Sequence, residues 1–444
     1  MSLLQALGKA MRIPELRRKL LFTVLLLLAF RLLATISVPN INHAALSALM
    51  NSNSLLGLLS LFSGNGGGSF TIVGLGLNPY INAVIIMQLM TVVSVRLKEL
   101  SKEGELGRKR ITRYTRWLTV PLAALQAYGY MALFTNPQAT TAGPILNNPT
   151  ATQTVSDIII LAAGTVIAMW LGELITEYGV GNGVSLIIFT GIVGRALPSI
   201  IGYGQTGGGN AVRLVVMALI ALIATAGIIE VQQAQRNVPM QSAQRVINPR
   251  TGMASMGGRR NFLPLRVNTA GVIPIIFGIS IMSFPLIFAN LFGSAGGAIG
   301  SAATWVRTYW TPNGGTLLID ILYNAIYFVL IFGFTYFYTA VVFDPNDVAD
   351  NLKKSSTFIP GIRPGRQTAE YLGRVMGRIT MAGAMFLAVV TVVLPLLTSF
   401  LTGVSTTQFL LGGTAILIVV GVALDTMKQI ETQLLMRQYK GFIR

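Results

Sequence analysis

The sequence predicts an all-α, polytopic membrane protein with ten transmembrane helices. Of its 444 residues, 52% are hydrophobic and 11% are charged, whereas soluble proteins contain about 25% charged residues. Apolar runs recur along the whole chain, and crossing a bilayer takes about 20 such residues. The segments between the runs alternate between strongly basic and nearly neutral. These observations favour a single membrane domain over a large soluble core.

Ten apolar segments are the candidate spans. Their approximate bounds are 20–38, 76–90, 117–134, 157–174, 184–201, 212–232, 269–291, 317–343, 373–394 and 409–427. Basic residues concentrate at the N-terminus, after spans two, six and eight, and in the tail. Because cytoplasmic loops are enriched in Lys and Arg, both termini are predicted to be cytoplasmic. Topology therefore accounts for most of the net charge of +18, without nucleic-acid binding.

The ten spans divide into five plus five, as 1–205 and 206–444. An odd number of spans in each part means that any duplicated halves must be inverted, an arrangement common in transport proteins. The second part contains two long charged loops, 233–268 and 344–372. We expect both loops on the cytoplasmic side.

The sequence lacks the residues that most catalytic and metal-binding chemistry requires. It contains no cysteine and one histidine, His43, so we expect no metal site and no cofactor. A coupled transporter needs a binding site near the middle of the membrane. The carboxylates in the spans all lie near predicted span ends, which argues against a transporter without excluding it; they are Asp157, Glu173, Glu230, Asp320 and Asp425.

Residues 53–68 form an unusual uncharged stretch. Asn53–Phe62 reads as an apolar helix too short to cross the bilayer, and Ser63–Gly68 is a glycine run. Irregular backbone at membrane depth is tolerated only inside protein or beside a water-filled cavity. The stretch therefore predicts a re-entrant segment beside a cavity. The amides of Gln88 and Asn268 indicate either static helix–helix contacts or a seam that can open.

Six segments resemble the SecY family of protein-translocon channel subunits. They are LGLNPYINAVIIMQL at 75–89, WLGELITEYGVGNGVSLIIFTGIV at 170–193, LPLRVNTAGVIPIIF at 263–277, DNLKKS at 350–355, FIPGIRPGRQT at 358–368 and GGTAILIVV at 412–420. Their order and spacing agree with the family over nearly the whole chain. Residues 246–262 depart from it, because the family usually has a more uniformly basic loop tip.

The resemblance implies two pseudosymmetric halves, hinged near the connection between spans five and six, around an aliphatic pore ring. The matching ring positions are Leu77, Ile81, Val184, Ile188, Ile276 and Ile418. A plug would close the pore, with Asn53, Leu55, Leu58, Leu61, Phe62 and Gly66 among its residues. Spans two, three, seven and eight would form a lateral gate, near Gln88, Asn268 and Pro274.

The same resemblance implies a docking surface on the two charged loops. Its residues would be Arg245, Lys353, Lys354, Arg363 and Arg366. The expected partners are SecE and SecG, the SecA ATPase, the ribosome, signal peptides with nascent chains, and the lipid bilayer. Contact with ribosomal RNA would occur only through the docking loops.

We therefore expect a passive, non-enzymatic channel for unfolded secretory proteins that also releases membrane proteins laterally into lipid. The expected location is a bacterial plasma membrane, or a thylakoid membrane. An inverted-repeat solute transporter and a structural membrane scaffold are the alternatives.

Overall fold

The protein is described by a computed structural model over residues 13–39, 42, 71–134, 150–205, 211–242, 246–247, 254–255, 260–292, 297–310, 317–402 and 413–441. Its helices are α1 (Pro14–Leu33), α2 (Asn78–Val93), α3 (Val95–Lys102), α4 (Glu105–Phe134), α5 (Ala151–Tyr178), α6 (Gly183–Gln205), α7 (Ala211–Gln233), α8 (Ile273–Phe292), α9 (Ala298–Tyr309), α10 (Leu317–Val342), α11 (Pro345–Lys354), α12 (Arg366–Ala388), α13 (Leu394–Thr402) and α14 (Gly413–Gly441). A π-helical segment, Val389–Val393, joins α12 to α13.

Helices lie at all ten predicted spans: α1, α2, α4, α5, α6, α7, α8, α10, α12 with α13, and α14. Among the described residues, five helical stretches are long and apolar enough to cross a membrane. A sixth is added if α2 and α3 count as one span bent by 102°. The helices at the other predicted spans have shorter apolar stretches or more charge. The helix positions agree with ten spans, and the exact number stays a prediction.

The second span illustrates how local sequence sets the helix ends. Pro79 occupies the first turn of α2, where a missing N–H costs no helical hydrogen bond. At the other end, Ser94 adopts an extended conformation, and the chain turns sharply into α3. The sequence predicts a polar loop there, yet much of it is helical. The ion pair between Lys109 and Glu105, 3.0 Å apart on successive turns, supports the polar start of α4.

Among the described residues, the long helices of 1–205 and those of 206–444 meet along two edges. The first half contains α1, α2, α4, α5 and α6, and the second half contains the helices from α7 to α14. At one edge, which we call the gate edge, α8 packs against both α2 and α4. At the other, which we call the back edge, α14 packs against α6. The two edges enclose the main hydrophobic cluster of the protein.

The two charged loops of the second half fold together. Strand β1 (Gln235–Ser242) pairs antiparallel with β4 (Arg260–Arg266), and β5 (Thr357–Phe358), from the other loop, pairs with the opposite edge of β1. The short strands β2 (Val246–Ile247) and β3 (Ala254–Ser255) pair with each other. The three-stranded sheet of β4, β1 and β5 shares a hydrophobic core with α12. This core includes Val238, Leu265, Ile359, Leu372 and Val375. We call the end of the molecule that carries this sheet the basic end, and the opposite end the neutral end.

Candidate pore and gate

The six predicted ring side chains meet in one hydrophobic cluster that draws on both halves. Four of them are buried, with at most 6% of their surface exposed: Leu77, Ile81, Ile188 and Ile418. The other two, Val184 and Ile276, are partly buried and pack against the same cluster. The structure thus brings together side chains from α2, α6, α8 and α14 and from the residue that precedes α2.

Helix periodicity explains why the ring positions occur in pairs. Leu77 and Ile81 are four residues apart, and the Ile81 N–H donates to the Leu77 carbonyl at 2.9 Å. Val184 and Ile188 have the same spacing on α6. Residues four apart lie on one face of a helix, so each pair presents two aliphatic side chains to the same region. The low exposure of Leu77, Ile81, Ile188 and Ile418 shows that these side chains are packed against other groups. We call the region between the six ring residues the waist.

The ring is embedded in a larger core. The same cluster contains Ile85, Ile192 and Ile275, which the sequence does not single out as pore residues. The six ring residues therefore lie together, but neither their burial nor their contacts distinguish them from other core residues. Their separate role rests on the positions they match in the family.

The predicted gate residues belong to α2 and to the chain at the start of α8, with Gln88 on α2 and Asn268 preceding α8. Pro274 is buried in the first turn of α8. Asn268 is 7% exposed, and its Nδ2 donates to the Gly271 carbonyl at 3.1 Å. Its Oδ1 and the Gln88 Oε1 are buried without a hydrogen-bond partner among the described residues. Buried polar atoms without partners are uncommon and costly.

Two further amides lie on the helices of this edge and were not assigned to the gate from the sequence. Gln126 on α4 is 3% exposed, and its Nε2 has no partner within the described part of the chain. Asn82 on α2 is 2% exposed, and its Oδ1 also has no hydrogen-bond partner within the described part of the chain. The signal for Gln126 was present in the sequence as a single amide within an otherwise apolar span.

Towards the neutral end, the two halves share an apolar cluster. The first half contributes Val38, Leu75, Ala127, Met131 and Leu161, and the second half contributes Met282, Leu286 and Tyr323. Hydrophobic contact is non-directional, so these apolar contacts impose no particular geometry on this part of the junction.

The back edge contains a glycine-rich turn, Gly179–Gly183, between α5 and α6. The Val180 N–H donates to the Thr23 hydroxyl of α1 at 3.0 Å. The Gly181 N–H donates to Gln429 Oε1 of α14, also at 3.0 Å. The first bond lies within one half and the second joins the two halves. Backbone donors of the turn are thus satisfied by side chains on both sides.

Glycine is required in this turn for two physical reasons. Gly181 has φ +89°, a conformation that residues with a Cβ rarely adopt. A Cβ at Gly183 would collide with the carbonyl oxygen of Gly172. Beside the turn, Val180 packs with Ile430 of α14, which adds an apolar contact between the halves.

An ion pair holds α4 against α5 within the first half. Arg116 Nε donates to Glu173 Oε1 at 2.9 Å, and a second guanidinium nitrogen lies 2.8 Å from Oε2. The geometry is bidentate, and the Glu173 side chain is 18% exposed. Partial burial and paired bonds make this contact stronger than a solvated surface pair. It favours movement of these two helices as a unit.

The structure describes four of the five predicted docking residues and none of the predicted plug residues. Lys353, Lys354, Arg363 and Arg366 are all exposed at the basic end. Arg366 Nε donates to Glu370 Oε1 at 3.0 Å. Arg245 and the plug residues 53–68 lie outside the described residues, so their positions stay predictions.

Comparisons with known proteins identify the fold. The family model described as SecY matches residues 71–427. Relatives named Protein translocase subunit SecY include that of Streptomyces galbus, 41% identical, and that of Mycobacterium tuberculosis H37Rv, 40% identical. Both alignments extend over 454 residues and cover 100% of this chain and of the relative.

Two solved structures have a similar fold. One, titled "The structure of a protein conducting channel", matches with a TM-score of 0.62 at 16% identity. The other, titled "Sec61 in the Canine ribosome-channel complex from the endoplasmic reticulum", matches with a TM-score of 0.56 at 15% identity. Each match covers 93% of this chain and 91% of the other. The predicted all-α polytopic membrane fold is thus confirmed. The family model and the full-length relatives together show that this chain belongs to the SecY family.

Proposed function

We propose that the chain forms a passive channel that conducts unfolded proteins across a membrane and releases apolar segments sideways into lipid. The observation that carries this proposal is the convergence of six aliphatic side chains from both halves at one waist. The names of the full-length relatives, protein translocase subunits, support the same function. The SecY family consists of translocase channel subunits and not of enzymes.

The chemistry of the waist suits an unfolded chain of any sequence. Branched aliphatic side chains offer only non-directional contact, so they favour no particular peptide side chain. A narrow apolar constriction also loses water readily, which hinders ions. In the proposed mechanism, the ring side chains contact the polypeptide during transport and contact one another at rest.

The gate edge is the proposed lateral exit. Opening it would separate α8 from α2 and α4, with the back edge acting as the hinge. An apolar segment would then partition into lipid according to its own hydrophobicity. We propose residues 53–68 as the plug that closes the waist, and their lack of charge suits repeated passage through an apolar ring.

In the proposed orientation, both termini and the basic end lie in the cytoplasm. The basic end is therefore the proposed docking side. The titles of two structures with this fold describe channels bound to ribosomes, from canine endoplasmic reticulum and from yeast. We propose that the exposed Arg363 docks either a ribosome or the SecA motor, because Arg can bind phosphate or carboxylate bidentately. SecE and SecG are the proposed companion subunits, and a bacterial plasma membrane is the proposed location.

Reconstitution tests the channel directly. Vesicles that contain the chain with SecE and SecG should import an unfolded secretory protein when SecA and ATP are supplied. Vesicles that lack this chain should not. Import that is equal in both preparations would contradict the proposal.

Charge reversal tests the docking surface. Arg363→Glu should lower import roughly tenfold or more, because a charge-assisted contact is worth about 1.5–3 kcal/mol. Lys98→Glu is the matched control, since Lys98 is exposed on α3 and lies outside the proposed docking surface. Equal import by the two variants would show that Arg363 is not a docking residue.

A further inference from the structure

The helix α9 has an exposed apolar face that the proposed channel does not use. Its members recur at intervals of three or four residues: Ile299, Ala302, Trp305 and Tyr309. Ile299 is 61% exposed and Trp305 is 53% exposed. The rings of Trp305 and Tyr309 lie 5.5 Å apart. Side chains at this spacing share one side of a helix, so the exposed groups form a continuous apolar stripe.

A second face of α9 is built for close packing on the gate helix α8. Gly300 and Ala303 are buried in α9, which also contains the charged Arg307, and α9 packs along α8. Small residues at such a contact let two helices approach closely, as is common inside membranes.

The remaining face is polar, but its hydroxyls do not depend on water. Ser301 donates to the Ala298 carbonyl at 2.9 Å, and Thr308 donates to the Thr304 carbonyl, also at 2.9 Å. The Thr304 hydroxyl lies within hydrogen-bonding distance of the carbonyls one turn earlier. Hydroxyls that bond to their own helix in this way can be tolerated where water is scarce.

The residue after α9 ties its C-terminal end to the side of the gate helix. Trp310 Nε1 donates to the Met282 carbonyl of α8 at 2.8 Å. The Trp310 ring also meets Tyr323 of α10 edge-on, with ring centres 6.0 Å apart. Met282 lies ten residues before the last residue of α8, Phe292, which corresponds to about 15 Å of helical rise. The end of α9 is therefore held beside α8 and not beyond its tip.

We propose that α9 folds back into the membrane leaflet at the neutral end and that its exposed stripe binds lipid acyl chains. The neighbouring helices α8 and α10 also expose apolar side chains, which are Phe288, Phe292, Leu318, Ile321 and Leu322. Trp and Tyr are the residues that concentrate at membrane interfaces. The stripe itself contains no charged residue. The surface thus belongs to the channel's lipid contact, immediately beside the helix that the proposed function assigns to the gate.

Spin labelling measures what covers the stripe. The chain contains no cysteine, so a single introduced cysteine carries the only label. Ile299→Cys and Trp305→Cys are reconstituted as the full chain in vesicles of phosphatidylcholine and phosphatidylglycerol. Accessibility to oxygen, which concentrates in lipid, is compared with accessibility to a water-soluble nickel chelate. Leu25→Cys on α1, a position that is 62% exposed, is the lipid reference, and Ser101→Cys on α3 is the water reference.

Lipid contact predicts that labels at 299 and 305 match the Leu25 position, with high access to oxygen and low access to the chelate. High access to the chelate would place the stripe in water and overturn the proposal. Low access to both would show that protein covers it, and would also overturn the proposal. The measurement needs no transport activity. A negative result would therefore not count against the proposed channel function. Only the description of α8 as the gate helix rests on that function.

Discussion

The two edges at which the halves meet differ in how their polar groups are satisfied. On the helices that form the gate edge, Gln88 of α2 and Gln126 of α4 each keep a buried amide atom without a partner among the described residues. At the back edge, backbone N–H groups of the glycine turn donate to Thr23 and Gln429. An unpartnered buried polar atom costs about 1–3 kcal/mol. Contact between the gate-edge helices therefore carries a polar cost, whereas at the back edge the turn donor that reaches the other half, the Gly181 N–H, is satisfied by Gln429.

This difference suggests which edge moves. A junction with unpartnered amides can gain hydrogen bonds when it opens to water or to a peptide. A junction whose donors are satisfied loses bonds when it separates. The glycine turn fastens the back edge at the basic end, and the connection between α6 and α7 is the covalent link between the same halves. We propose that the edge fastened in this way is the pivot for the other edge.

The largest expected effect comes from breaking the turn at the back edge. Gly183→Ala forces a Cβ against the backbone carbonyl of Gly172 on α5, with Ile175 also close, which leaves little room to relax. We expect a loss of about 3 kcal/mol of stability, measured as a lower denaturation midpoint in detergent. Gly227→Ala on α7 is the control, because a Cβ there meets nothing within 4 Å and raises helix propensity. If both variants unfolded at the same midpoint, the close approach at Gly183 would have no energetic role.

A smaller effect is expected from removing the polar cost at the gate edge. Gln88→Leu and Gln126→Leu each replace an unpartnered amide with an apolar group, which should stabilise the closed edge by about 1.4 kcal/mol. Import in the reconstituted assay should fall roughly tenfold. Gln232→Leu is the control, since Gln232 also has an unpartnered Nε2 but lies on α7, which is not one of the helices of the gate edge. An equal fall in the control would remove the distinction between the edges.

The smallest effect is expected at the hydrogen bond that joins the halves. Gln429→Leu removes the acceptor of the Gly181 N–H, a bond worth about 1 kcal/mol, whereas Gln429→Glu keeps an acceptor. Spin labels at Glu177→Cys and Leu435→Cys, on opposite sides of the back edge, report its separation by pulsed electron paramagnetic resonance. The distance distribution should broaden with Gln429→Leu and stay narrow with Gln429→Glu. Identical distributions for both variants would mean that this bond does not fasten the edge.

The membrane architecture was readable from sequence because hydropathy and the positions of basic residues are local signals. The sheet at the basic end was not, and 233–268 was expected to be a loop. Both long strands contain a proline, Pro239 in β1 and Pro264 in β4, which argues against a strand when the sequence is read alone. The third strand, Thr357–Phe358, joins from a loop far away in sequence.

Some parts of the candidate site could be predicted from the sequence and others could not. The resemblance supplied the six ring residues, and the structure brings them into one cluster. It could not reveal that Gln429 accepts a hydrogen bond from a turn 248 residues away in the sequence, because no local pattern encodes that pairing. The helix α9 was hidden in a glycine-rich segment, where composition predicts a loop.

The central claim is that a polypeptide passes through the six-residue ring and not elsewhere in the core. Ile188 and Ile192 lie one helical turn apart on α6, both almost fully buried in the same cluster. A photoreactive residue at each position, with a secretory protein arrested during import, separates a pore residue from a packing residue. The account predicts cross-links to the arrested chain from position 188 and not from 192. Cross-links from 192 alone, or equally from both, would contradict it.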